Sequence, residues 1–112
     1  MEDIRLKELP FYYGEREYRL RCNMAVLADM EEEFGQIPDI FDGRGKMNKF
    51  LKIMAIMMNE YADYKGWPER VTYRDLGRNL ALEDVPFGEI SQLIVGAIYT
   101  KTEKSEAEPS KN

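Results

Sequence analysis

Residues 47 to 67, MNKFLKIMAIMMNEYADYKGW, constrain the fold more than any other part of this chain. Met47, Phe50, Leu51, Met54, Met57, Met58 and Tyr61 recur at the i, i+3, i+4, i+7 spacing that gathers side chains on one face of a helix. Ile53 and Ile56 widen that face beyond a narrow stripe. A helix so apolar around its circumference sits at the centre of a small domain or is shared with another chain. Methionine supplies much of the apolar surface, and its flexible side chain suits both an irregular core and an adaptable binding face.

The rest of the composition narrows the class. At 112 residues and 44% hydrophobic, the chain is expected to form one globular domain, over about residues 1 to 102, with a core that needs no metal or disulfide. One cysteine, Cys22, and no histidine leave no internal disulfide and no metal-ligand cluster, and point to a reducing, cytoplasmic setting. No apolar run approaches the ~18 residues needed to cross a bilayer, and MEDIRLKELP lacks the apolar centre of a signal peptide. A net charge of -5 opposes nucleic-acid binding, which draws its affinity from neutralised phosphates. Basic or apolar partners suit this charge better.

Turn and cap signals divide the chain into elements. In PFYYGEREYRLRC, Gly14-Glu15 suits a type II′ turn, giving a hairpin over about residues 10 to 22. Tyr18, Leu20 and Cys22 then share one face, and an isolated hairpin needs a helix to lie on. Asn23 caps a helix over 24–34, stopped by Gly35, with Leu27, Met30 and Phe34 inward. QIPDIFDGRGK reads as a loop anchored by Ile37, Ile40 and Phe41. Its Gly43 and Gly45 follow no strand and lack the Gly-Lys-Ser/Thr ending of a phosphate loop. The apolar helix spans 47–65 and breaks at Gly66-Trp67-Pro68. Thr72 caps a helix over 73–80 with Asp75 in capping-box register, and Tyr73, Leu76 and Leu80 inward. Asp84 and Pro86 open a last helix over about 86–100, with Ile90, Leu93, Ile94, Ala97 and Ile98 inward. Residues 103–112 are almost devoid of apolar side chains, and a disordered tail is expected there. The fold class is therefore α+β, mainly α, with a short N-terminal β-hairpin followed by about four helices.

Catalytic chemistry finds little support. Without histidine, every Ser/His/Asp and Cys/His scheme is excluded, and only carboxylates remain as acid and base. Asp29 with Glu33, and Glu60 with Asp63, stand at helical spacing, as acidic helix surfaces often arrange them. The expectation is a non-enzymatic protein with no cofactor. The last two helices also fit a helix-turn-helix-like pair, as in a small regulatory or adaptor domain. Its recognition helix would offer Glu89, Ser91 and Gln92 but no Arg or Lys, which favours protein over DNA as the contact.

The order of these elements, with EYRLRCN, then LADMEEEFG, then the apolar helix, then TYRDLGRNL and a terminal amphipathic helix, resembles the small phage tail assembly chaperones over roughly residues 11 to 99. The resemblance implies a phage or prophage protein of the host cytoplasm that binds the tape measure protein, keeps its long apolar helices soluble and assists tail-tube assembly. The tail tube protein is a second candidate partner. Met54, Met57, Met58, Tyr61 and Trp67 are the expected partner-binding surface, with Glu31, Glu32 and Glu33 favouring basic flanks. Those methionines as plain core are the competing reading. A wide apolar helix beside a hairpin with open edges also leads us to expect a homo-oligomer.

Overall fold

A computed structural model of the chain describes residues 7 to 35 and 47 to 110, with side chains through Ile98. The loop expected over residues 36–46, with its Gly43 and Gly45, lies outside the described residues. Two antiparallel strands, β1 (Leu9–Tyr13) and β2 (Arg16–Leu20), are followed by helices α1 (Met24–Phe34), α2 (Met47–Lys65), α3 (Tyr73–Asn79) and α4 (Phe87–Ser110). The architecture is α+β and mainly α. A 3-10 turn, Leu82–Asp84, stands between α3 and α4. No helix among the described residues is long and apolar enough to cross a membrane.

The hairpin register pairs Tyr13 with Arg16 around Gly14-Glu15. Gly14 has φ 63° and no non-glycine residue among the described residues has positive φ, which is the sign pattern of a type II′ turn. Strand alternation sends Phe11, Tyr18 and Leu20 into the core and leaves Tyr12 and Arg19 in solvent. Asn23 caps α1, its Oδ1 accepting from the Val26 main-chain N–H at 2.9 Å.

The α2 helix ends on a Schellman motif. Gly66 has φ 81°, its N–H donates to the Asp63 carbonyl at 3.2 Å, and the Trp67 N–H donates to the Ala62 carbonyl at 2.8 Å. Trp67, just past the cap, packs its ring edge-on against Tyr61 with centroids 5.7 Å apart. Gly66 therefore stops the helix, one residue earlier than a break imposed by Pro68.

The α2 helix is central, touching β2, α1 and α3. Its buried residues are Ile53, Met54, Ala55, Met57, Met58, Tyr61 and Ala62. Phe50 and Leu51 lie on the same arc but near the helix start, and are only half-buried. Phe50 meets Phe87 of α4 at 4.7 Å, and Met47, one turn earlier, is exposed. Ile56 is partly buried, at the edge of the core toward α1. In α1, Val26 joins Leu27 and Met30 in the core while Phe34 is half-buried.

The Thr72 capping box forms as expected, with the Asp75 N–H donating to Thr72 Oγ1 and the Thr72 N–H to Asp75 Oδ2, each at 3.1 Å. Asp84 departs from expectation. Its Oδ2 accepts from the Ala81 N–H at 2.8 Å and closes the 3-10 turn, so it does not cap α4. The α4 helix starts at Phe87, with the Pro86 carbonyl accepting from the Ile90 N–H. It runs on to Ser110, past the end expected near Thr100 and into the stretch read as a disordered tail. Glu and Lys are frequent there and are good helix formers, which lets a helix propagate once its first turns are held by packing.

Candidate functional site

A shallow, open concavity lies between α1 and α2. Two contacts fix how these helices run: Asn23 Nδ2 donates to Glu60 Oε2 at 3.1 Å, and Lys52 Nζ lies 3.3 Å from Glu33 Oε2. The start of α1 thus meets the end of α2, and the pair is antiparallel. The groove between them, about 320 Å³, is lined by Asp29, Glu32, Glu33, Ile56, Asn59, Glu60 and Asp63. On α2 the residues 52, 56, 59 and 63 fall on one helical side, turned away from the methionines.

The groove is an acidic trough with an apolar floor. Lys52 pairs with Glu33, Asp63 pairs with Arg70 at 2.6 Å, and Asn23 holds Glu60. Asp29 and Glu32 are exposed and have no cationic partner among the described residues. Ile56 is half-buried between the acidic walls. Asn59 is committed to structure, its amide accepting from the Val71 N–H and donating to the Val71 carbonyl, both at 2.8 Å. That two-way bond ties the segment before α3 to the middle of α2, as a strand neighbour would.

Of the residues expected to bind a partner, the structure gathers some and removes others. Met54, Met57 and Met58 are at most 1% exposed and Tyr61 is 8% exposed, so all four belong to the core. The hairpin, α1 and α3 cover this face of α2, which corrects the expectation of an accessible methionine surface. Trp67 is half-buried, edge-on to Tyr18 at 5.3 Å with the Arg16 guanidinium 4.3 Å over its ring. Glu31, Glu32 and Glu33 are all exposed, but only Glu32 and Glu33 face the groove. Asp29, Glu60 and Asp63 join them there. Both carboxylate pairs noted in the sequence, Asp29 with Glu33 and Glu60 with Asp63, therefore meet in one place. The antiparallel packing of α1 on α2 joins them, and neither helix carries that signal alone.

No polar or charged side chain among the described residues is buried. No cluster among the described residues could hold a metal ion. The shifts that do occur are structural. Burial pushes the Cys22 thiol up to about 11, which leaves it protonated and unreactive at neutral pH. Main-chain and hydroxyl hydrogen bonds from Thr72 hold Asp75 below the usual carboxylate range. Glu69 is lowered by its main-chain hydrogen bond and by Arg16.

Compared with protein-family models, curated proteins and solved structures, the chain finds no match.

Proposed function

We propose that this protein is a non-enzymatic assembly chaperone that holds a helical segment of a larger partner in the α1/α2 groove. The observation that carries this reading is the groove itself, with Asp29 and Glu32 free to meet cations and Ile56 as an apolar contact. From Ile56 to Asp63 it runs roughly 10 Å along α2, about two turns of a docked helix. A helix with an apolar residue facing Ile56 and Lys or Arg on its flanks complements this surface. The charges favour fast, salt-sensitive capture, and the small apolar area keeps the hold releasable. A chaperone requires both properties.

The resemblance to phage tail assembly chaperones names the partner class: the long helical tape measure protein, with the tail tube protein as a further candidate. The binding surface in this proposal differs from the methionine face. Methionines 54, 57 and 58 build the platform, and the acidic groove does the recognising.

Co-expression with a tape measure protein from the same genome tests the proposal. The expected outcome is that this chain raises the soluble fraction of the partner and co-purifies with it. The double variant Asp29→Lys with Glu32→Lys should fold normally and lose both effects. A partner equally soluble with and without the chain, or captured equally well by the double variant, would sink the groove reading.

A further inference from the structure

The hairpin has an edge that no other strand among the described residues pairs with. Strand pairs around a two-residue loop alternate between residues that exchange both main-chain hydrogen bonds and residues that turn theirs away. Starting from Tyr13 with Arg16, the bonded pairs are Phe11 with Tyr18 and Leu9 with Leu20. The outward-turned residues are therefore Tyr12 and Pro10 on β1, and Glu17 and Arg19 on β2. Pro10 has no N–H, and α4 lies against β1. On β2, the outward main-chain groups of Glu17 and Arg19 have no hydrogen-bond partner among the described residues.

We propose that this β2 edge pairs with the same edge of a second copy, antiparallel about a two-fold axis at Tyr18, to join two hairpins into a four-stranded sheet. Two independent features select this register. Glu17 and Arg19 both turn their main-chain groups outward, so a two-fold at Tyr18 sets each Glu17 opposite an Arg19 as hydrogen-bonded pairs. Their side chains also stand on the sheet face away from the core, where Glu17 and Arg19 already attract each other within one chain at 3.5 Å. The same register therefore places opposite charges directly across the new strand boundary. Two-folds centred on Glu17 or on Arg19 would place like charges face to face, which is unfavourable. An exposed edge with a self-complementary register is a template for its own copy.

The pairing uses none of the groove residues, so its failure and the failure of the chaperone reading are separable. Sedimentation of the purified full chain up to about 100 µM, a range that detects contacts of roughly 6 kcal/mol or more, should report a monomer–dimer equilibrium. Arg19→Glu should weaken it about tenfold or more, by setting Glu opposite Glu in both pairs. The exchanged variant, Glu17→Arg with Arg19→Glu, should restore it. Arg19→Pro removes an outward N–H, as Pro10 does across the ladder, together with surface ion pairs to Glu8 and Glu17, and should leave a folded monomer. Hydrogen exchange gives a second readout: the Glu17 and Arg19 amides should become protected as concentration rises, while Tyr18, already bonded to Phe11, should not change. A wild-type chain that stays monomeric overturns the proposal. So does a dimer that Arg19→Glu and Arg19→Pro both leave intact, or protection that fails to depend on concentration.

Discussion

The two sides of α2 share one backbone and have opposite chemistry. One side carries Ile53, Met54, Met57, Met58 and Tyr61, all buried under the hairpin, α1 and α3. The other carries Lys52, Ile56, Glu60 and Asp63, half-buried or exposed and joined by ion pairs to α1 and to Arg70. Methionine content alone does not separate a core from a binding surface. Coverage by neighbouring elements does, and the hairpin decides which side receives it. Substitutions on the first side should act on stability, and substitutions on the second on recognition.

The largest effect is expected at the centre of the covered side. Met58→Ala should cost about 2 to 5 kcal/mol in denaturant unfolding, because Met58 is fully buried and a rigid core closes poorly over a cavity. Ile56→Ala, two residues earlier on the same helix, should cost less, about 1 to 2 kcal/mol, because its side chain is only partly buried at the edge of the core. Equal losses at the two positions would erase the distinction between the sides.

Asn59 stands at the border. Its amide satisfies both main-chain groups of Val71, so Asn59→Ala leaves a half-buried donor and acceptor unpaired. A loss of about 1 to 3 kcal/mol is expected, with the segment before α3 exchanging its amide hydrogens faster. A smaller penalty, about 1 kcal/mol, should follow Asn23→Ala through loss of the α1 cap. The same change frees Glu60 in the groove and should leave recognition of a basic partner intact or stronger. If Asn23→Ala weakens partner capture in proportion to stability, the groove is acting only through the fold.

Helix and hairpin positions were legible because local chemistry sets them. Asn23 and Gly35 punctuate α1, Thr72 with Asp75 opens α3, and Gly14 permits the turn, each through bonds within a few residues. Met47, Phe50 and Leu51 fit the helical period as well as Met54 and Met58 do, yet only the latter are covered completely. Periodicity finds the side of a helix but not how far along it the neighbours reach. Ile53 and Ile56 show the same limit, since identical side chains three residues apart end up in the core and in the groove. The groove needed two helices to meet, and Asp84 could satisfy either of two backbone turns. It closes the turn on its N-terminal side, accepting from the Ala81 N–H.

Acid should expose a local difference. The hydrogen bonds from Thr72 depress the Asp75 carboxyl below its unfolded value. A depressed carboxyl contributes stability above its unfolded pKa, near 3.8, and loses it as pH falls through the lower folded value. The start of α3 should therefore loosen only below about pH 4, read as faster exchange at the Asp75 amide. Asp75→Asn should remove most of that pH dependence, and an unchanged acid profile would place its origin elsewhere.

The smallest effect on stability should come from the groove, and it is the sharpest test of the comparison. Asp29 and Glu32 are exposed and unpaired among the described residues, so replacing both with Lys breaks no internal contact. Surface changes of this kind shift stability by less than about half a kcal/mol. Removing like charge from a chain of net charge -5 also lowers its self-repulsion. Recognition should respond in the opposite sense, because the two residues are the groove's free anions and a cationic helix would meet repulsion where it met attraction. Unfolding curves that overlay those of the parent, together with lost capture of a basic helical partner, separate a platform from a recognition surface. Capture that survives the double change but falls with Ile56→Ala would instead assign recognition to the apolar floor.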